Sequence, residues 1–268
     1  MTTHDSVLHQ CWGPLAAIVL AAAAGIAGCG RPLPPPAAEN LHQALTAYEQ
    51  GDDAAVIDRT SQIIANFSRS PETAEAYYLR ALARIRRDDA AGGQQDLQKA
   101  LALARRDDLA ARAHLALGLL ADTRGDPNAA RQQYVAAVER FACVGGCCDA
   151  HEEALCRLGL LLQKQGEFLE ADRYFDRLLH LYCQGRWSAL ARQQIRGQAW
   201  TLRAGSFSSL DEARQKREEL EKAGREAQVV PVHCPDVSFE VRVGRYKTYQ
   251  EAQVAMGEVP GAQIVVER

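Results

Sequence analysis

What the sequence is short of narrows its class before any motif is read. Aromatic residues fill only 6% of its 268 positions. That is thin provision for a broad β-sandwich core and suits alanine-rich packing of helix on helix. Neither charge dominates: 31 Lys and Arg stand against 34 Asp and Glu, a formal net charge of −3. No basic balance points to nucleic acid, and no acidic block makes a solvating tail. No apolar run reaches the roughly 20 residues of a membrane-spanning helix. No nucleophile–base pairing or paired metal-ligand spacing emerges, so the expectation is a binding protein with no catalytic residues, metal or cofactor.

The chain begins unlike it continues. Met1 to Gly13 holds His4 and His9 but no Lys or Arg, and Pro14 to Gly28 is almost uncharged, Leu15–Leu20 leading into alanines. That run has the length of a signal-peptide core. It ends at Ile26-Ala27-Gly28-Cys29, which resembles a lipobox. The resemblance implies a signal peptide over 1–28, cut before Cys29, with lipid on the Cys29 thiol. An uncleaved helical anchor and a misplaced start codon are the alternatives. Pro-rich residues then follow, Arg31-Pro32-Leu33-Pro34-Pro35-Pro36. They predict a stiff linker over 29–38 that lifts the folded part off a membrane.

Between Ala37 and Tyr182 one pattern recurs. Aligned on Gly51, Asp88, Gly125 and Gly166, a small residue falls seven positions earlier: Ala44, Ala81, Gly118 and Gly159. Five positions later come Val56, Gly93, Ala130 and Ala171, and four further on Thr60, Leu97, Tyr134 and Phe175. Small residues let two antiparallel helices approach, and large ones fill the gap toward the next pair. Each hairpin keeps an apolar face exposed until a neighbour stacks on it, so the repeats fold as an array. The pattern resembles the tetratricopeptide (TPR) repeat, most clearly in Leu117-Gly118, Gly125-Asp126, Ala130, Tyr134 and Ala137. The aligned turn residues lie thirty-seven, thirty-seven and forty-one apart, against the family's roughly 34. A TPR-like α-solenoid is expected over 39–198, with Trp187 to Gln198 as a capping helix. Leu45, Leu82, Leu119 and Leu160 stand where a carboxylate-gripping clamp would want basic or amide residues. They read as packing, with an apolar peptide groove as the alternative.

Of eight cysteines, Cys11 lies in the signal and Cys29 takes the lipid. The six others form an even set, suggesting disulfides in an exported chain. Cys143, Cys147 and Cys148 sit in one long connection with His151 and Cys156 close behind. Cys156 is read as starting one helix and Cys183 as following its partner. On that reading Cys143, Cys147, Cys148, Cys156 and Cys183 share one end of the last repeat and are disulfide candidates. A zinc site and free thiols are the alternatives.

After Gln198 the periodicity shortens to two. Trp200 to Phe207 alternates, with Trp200, Leu202 and Ala204 on one face. Ser209 to Glu212 is a capping box, and Gln228 to Val232 is a strand whose Pro231 demands an edge. Phe239 to Gly244 alternates again, Thr248 to Glu251 is a second capping box, and Gln263 to Val266 closes the domain. The order β-α-β-β-α-β implies a split-βαβ sheet, ferredoxin- or RNP-like, with both helices on one face. The segment 199–268 resembles a SPOR domain, the sporulation-related repeat of bacterial division and cell-wall proteins. The likeness rests on Trp200-Thr-Leu-Arg-Ala-Gly-Ser-Phe-Ser-Ser209 with Glu212-Ala213, and on Val241-Arg-Val-Gly-Arg-Tyr246 leading into Glu251-Ala252. Arg203 stands where the family often carries Gln.

That resemblance implies binding of peptidoglycan glycan strands stripped of stem peptides. Alternation places Arg203 and Gly205 away from the helices, with Glu240, Arg242 and Gly244. Ser206, Phe207 and Tyr246 would add hydroxyls and an aromatic edge. The alternative for this face is that Arg203 and Arg242 merely pair with Glu240. The expected whole is a lipid-anchored, periplasm-facing envelope protein, holding glycan through its C-terminal module and a protein through its repeats, in division or wall remodelling. The second reading is an outer-membrane scaffold whose C-terminal domain only packs. RNA binding, which the same fold also serves, is not expected, because the third strand presents Glu240, Arg242 and Gly244 and not stacking aromatics.

Overall fold

Four sharp turns punctuate the helical part, and each falls on an aligned position: Gly51, Asp88, Gly125 and Gly166 all have φ between 64° and 84°. A computed structural model describes residues 32–140, 149–233 and 237–267. The signal region, Cys29, Cys143, Cys147, Cys148 and Cys234 lie outside the described residues. The described residues pack as two compact units, one of 32–126 with 139–140, the other of 127–138, 149–233 and 237–267.

In the first unit α1 (Pro35–Glu49) and α2 (Asp53–Asn66) form one hairpin, α3 (Thr73–Arg86) and α4 (Ala90–Leu103) the next, and α5 (Asp107–Thr123) follows. Asp52 and Asp89 cap α2 and α4 by accepting from the N–H of Ala55 (3.0 Å) and Gly92 (2.8 Å), which satisfies donors the helix leaves open. Ala44, Val56, Ala81 and Leu97 are fully buried. A Cβ on Gly93 would come within 3.0 Å of the Ala81 carbonyl, so the small residues do set the helix approach. Thr60, at a position that elsewhere holds a large residue, is also fully buried and donates to the Val56 carbonyl at 2.6 Å. Buried Asp96 is held by Arg80 through two bonds and by Arg84 through one, all 2.8 Å. Leu82 is core and Leu45 packs beside it, as expected of packing leucines.

The expected linker is shorter than the prolines suggested. Leu33 is buried in the first unit's core, and Pro35 and Pro36 form the first turn of α1. Proline is tolerated there because a first-turn N–H has no intrahelical acceptor anyway.

The second unit holds α6 (Pro127–Arg140, as far as Val138), α7 (Asp149–Lys164), α8 (Phe168–Leu181) and the short α9 (Ser188–Gln194). Ala130, Tyr134, Ala171 and Phe175 are fully buried, and a Cβ on Gly159 would meet the Phe175 ring at 2.6 Å. The capping helix is shorter than expected. Glu152, buried in α7, starts it by accepting from the N–H of Trp187 (2.6 Å) and Ser188 (3.1 Å). A turn at Arg196, φ 64°, ends it.

The sheet follows: β1 (Ala199–Phe207), α10 (Leu210–Lys222), β2 (Ala227–His233), β3 (Val237–Tyr246), α11 (Tyr249–Met256) and β4 (Gln263–Glu267). Strand order is β2-β3-β1-β4 with every neighbour antiparallel, the split-βαβ arrangement. Pro231 lies on β2, an edge strand, as its missing donor requires. Thr248 and Glu251 form the reciprocal capping box. At Ser209 only half of one forms, the hydroxyl accepting from Asp211 N–H at 3.2 Å. Leu202, Val241 and Val243 face Ala213 and Leu220 of α10 and Ala252 of α11 in one core.

That core also takes in Phe168, from the last helical hairpin. The Trp200 indole N–H donates to the Gln163 carbonyl at 2.9 Å, near the end of α7 where carbonyls lack helical partners. The Trp200 ring meets Phe168 at 6.3 Å and Tyr249, edge-on, at 5.1 Å. The last hairpin and the sheet are therefore packed together, not strung on a linker.

Candidate binding face of the sheet

Two irregularities in the β1–β3 ladder decide which side chains share a face. Trp200 pairs with Tyr246 but Leu202 with Val243, so β3 carries the extra residue, at Gly244 (φ 67°) and Arg245. Arg203 pairs with Arg242 but Gly205 with Val241, so β1 carries an extra residue at Ala204. Each bulge resets the alternation.

The consequence corrects part of the face expected from the sequence. Gly205 lies opposite Val241, on the helix side, and a Cβ there would meet the Phe207 ring at 2.8 Å. Phe207, opposite Phe239, packs against the helix-side core, as does Tyr246 opposite Trp200. Burial pushes the Tyr246 phenol pKa up. Ser206 moves the other way, opposite Glu240 and exposed. The structure thus brings Arg203, Ser206, Glu240 and Arg242 together on the open face, and keeps Gly205, Phe207 and Tyr246 from it. Gly244 forms the bulge itself, its missing side chain leaving room for the Tyr246 ring.

On this face one carboxylate organises two guanidiniums. Arg203 donates to Glu240 at 2.9 Å, and Arg242 donates twice to its other oxygen, at 2.9 and 2.7 Å. Burial acts to raise the Glu240 pKa, but the hydrogen bonds from Arg203 and Arg242 outweigh it and hold the carboxyl below its ordinary value. Arg203 also donates to Gln263. Sequence reading missed Gln263, and likewise Arg245, which bonds Glu267 at 2.8 Å across β1. Gln228, Arg242, Gly244, Arg245 and Glu267 line a hollow where the β3 bulge widens the ladder. Gln228, Arg245 and Gln263 are exposed. Position in the strand alternation was the signal for Gln263 and Gln228; nothing local marks Arg245, because the bulge alone turns it.

The cysteine geometry also differs from expectation. Cys156 lies in the middle of α7, two turns past its start, and is fully buried with a free thiol. Burial pushes its pKa up to about 12, which suppresses thiolate chemistry. Cys183 is free and exposed, so these two do not bridge each other. His151 Nδ1 shares a 2.7 Å hydrogen bond with the Tyr182 hydroxyl. Among the described residues no His, Cys, Asp and Glu cluster is arranged for a metal, and no helix is long and apolar enough to cross a membrane.

An antiparallel split-βαβ sheet with one helix-covered face and one polar open face defines the class of the C-terminal module. Its family follows: residues 196–265 match the SPOR domain, so the chain consists of TPR-like helical repeats ending in a SPOR domain. Solved structures similar to the chain include MamA, 24% identical with a TM-score of 0.44, over 54% of this chain and 77% of that one. RapI in its apo form is 16% identical with a TM-score of 0.49, over 55% and 56%. A tetratricopeptide repeat protein from Parabacteroides merdae is 15% identical with a TM-score of 0.48, over 59% and 57%. No curated protein matches the chain.

Proposed function

We propose that this is a non-catalytic, lipid-anchored protein of the bacterial cell envelope, periplasm-facing, that binds denuded peptidoglycan strands through the open face of its SPOR domain. The repeats hold a protein partner, in division or wall remodelling. The SPOR match over 196–265 carries the reading, since the family implies peptidoglycan. The lipobox at Cys29 supports the anchor. A specific observation bears on the scaffold alternative. The sheet packs on the last hairpin through Trp200 and Tyr249, on its helix side, which leaves Arg203, Ser206, Arg242 and Gln263 for a ligand. Against this, Arg203 and Arg242 already satisfy Glu240, and a glycan hydroxyl must share or displace those bonds.

The test is co-sedimentation of the intact protein with purified sacculi, with and without prior amidase treatment. Amidase should increase binding. Removing Arg203 and Arg242 alone would strand the Glu240 charge, so the variant combines Arg203→Ala, Arg242→Ala and Glu240→Gln. Losing two charge-assisted bonds to glycan, each worth about 1.5–3 kcal/mol, should weaken binding by roughly a hundredfold or more. Wild-type protein that ignores amidase-treated sacculi overturns the glycan reading and leaves the scaffold.

A further inference from the structure

The packed core reaches to within a few residues of Cys29 in sequence. Leu33 is 8% exposed and packs with Ala37 and Leu41 in the first unit's core. The Pro34 carbonyl already accepts from the N–H of Ala37 (2.8 Å) and Ala38 (3.0 Å). Between Cys29 and Leu33 stand only Gly30, Arg31 and Pro32. At no more than ~3.6 Å per residue, the four steps from Cys29 to Leu33 span at most about 14 Å. This reach is shorter than α1, whose 15 residues extend about 22 Å.

From this we infer that the end of the first unit carrying the start of α1 lies against the lipid headgroups of the membrane that holds Cys29. The inference rests on the lipid anchor proposed above. It identifies a membrane-facing surface and fixes which end of the first unit's hairpins looks away. Because α2 runs antiparallel to α1, the two ends can be assigned from contacts. Arg59, at mid-helix, donates to Asn40 (2.9 Å) and Gln43 (2.7 Å), and Asn40 donates to Gln62 (3.5 Å), which sets the second half of α2 beside the first half of α1. The connection from Phe67 to Glu72 therefore shares the membrane end, stitched by the Thr73 hydroxyl on the Phe67 carbonyl at 2.5 Å. The opposite end holds the Gln50–Asp52 turn, where Arg86 stacks on Tyr48 at 3.8 Å and bonds Asp53.

Among the described residues the membrane end is not a basic patch: Arg69 shares its connection with Glu72, and Arg106 of the α4–α5 connection bonds Glu75 (3.1 Å) and Asp108 (2.6 Å). Contact is enforced by the short tether, which keeps this end at a high effective concentration beside the bilayer, and not by attraction to anionic lipid. It should therefore survive both high salt and uncharged lipid.

The experiment uses the intact, lipid-modified protein in vesicles of phosphatidylcholine, with and without phosphatidylglycerol. A benzophenone amino acid replaces Arg69 or Gln50, both exposed, and lipid adducts are read by mass spectrometry after illumination. Position 69 should form roughly tenfold more adduct than position 50, at low and high salt and in both vesicles, given the ~20 Å between the two ends. Inserting about a dozen Gly and Ser residues between Arg31 and Pro32 should level the two positions by freeing the unit from the surface. Equal adducts in protein whose N-terminus is shown by mass to be acylated Cys29 would overturn the inference and spare the anchor. A difference that vanishes in high salt or without phosphatidylglycerol would overturn the tether account in favour of charge. A membrane-bound chain without acylated Cys29 would sink the anchor reading itself, and this inference with it.

Discussion

The hairpin α3–α4 and the hairpin α7–α8 follow the same repeat pattern but meet different neighbours. In the first, the buried cross-helix tie is Asp96 with Arg80 and Arg84, and α3 packs on α2 while α4 packs on α5. In the second, the turn and the start of α8 meet a β-sheet: Phe168 enters the sheet's core and the Lys247 carbonyl closes on Gly166. A repeat's small and large positions fix how its two helices approach. They do not fix what covers the outer side, and here a module of another fold takes the place of a further hairpin.

Breaking the sheet's core should produce the largest effect and show how far the second hairpin depends on it. Leu202→Asp places an uncompensated charge where no water reaches, a cost of several kcal/mol. The expected result is loss of protease resistance across residues 149–267 while the first unit keeps its own. Full resistance in the second unit would refute the shared core.

Acid should separate the units next. Burial, with Arg177 adding to it, lowers the His151 pKa to about 4. The unfolded value is about 6.5, so this stability is fully present above pH 6.5 and is lost as pH falls from there toward 4. It amounts to at most about 3 kcal/mol. Hydrogen exchange followed from pH 7 to pH 4.5 should show α7 and α8 loosening, and His151→Gln should flatten the trend. Glu240, with its lowered pKa, adds stability that is fully present above the ordinary carboxylate range and is lost only as pH falls below it.

A matched pair of turn substitutions sharpens the comparison. Gly51→Ala and Gly166→Ala both force a side chain into left-handed backbone, at roughly 1–2 kcal/mol. Gly51 has open space around it, whereas a Cβ on Gly166 would sit 2.8 Å from the Lys247 carbonyl. Thermal melts should therefore show Gly166→Ala as the costlier by about 1–2 kcal/mol. Equal costs would mean that the sheet does not press on the turn.

The smallest effect belongs to the single hydrogen bond across the junction. Trp200→Phe keeps most of the ring contact with Phe168 and Tyr249 and removes the indole donor, while the Gln163 carbonyl keeps the Gly166 N–H at 2.9 Å, so the loss is at most about 1 kcal/mol. Exchange of amides near the end of α7 should quicken modestly, with sacculus binding unchanged.

The repeat register, the order of strands and helices, the edge position of Pro231 and the capping box at Thr248 were all legible in the sequence. Each is set by local propensity, side-chain volume or a missing donor, which a residue carries wherever it stands. Half of the candidate face was legible too, Arg203, Glu240 and Arg242 by alternation alone. Three things only the tertiary structure decided. A bulge is a mismatch between two strands, so neither strand's own pattern shows that Gly205 and Phe207 turn inward and Ser206 outward. Cys156 reads as the start of a helix until the true start at Asp149 puts it two turns deeper, in the core. Trp200 and Phe168 read as parts of separate modules because apolar periodicity says that a side chain is buried and never against what. Burial partners come from chain segments distant in sequence, and that is why the fold could be read along the chain while the junction and the composition of the face could not.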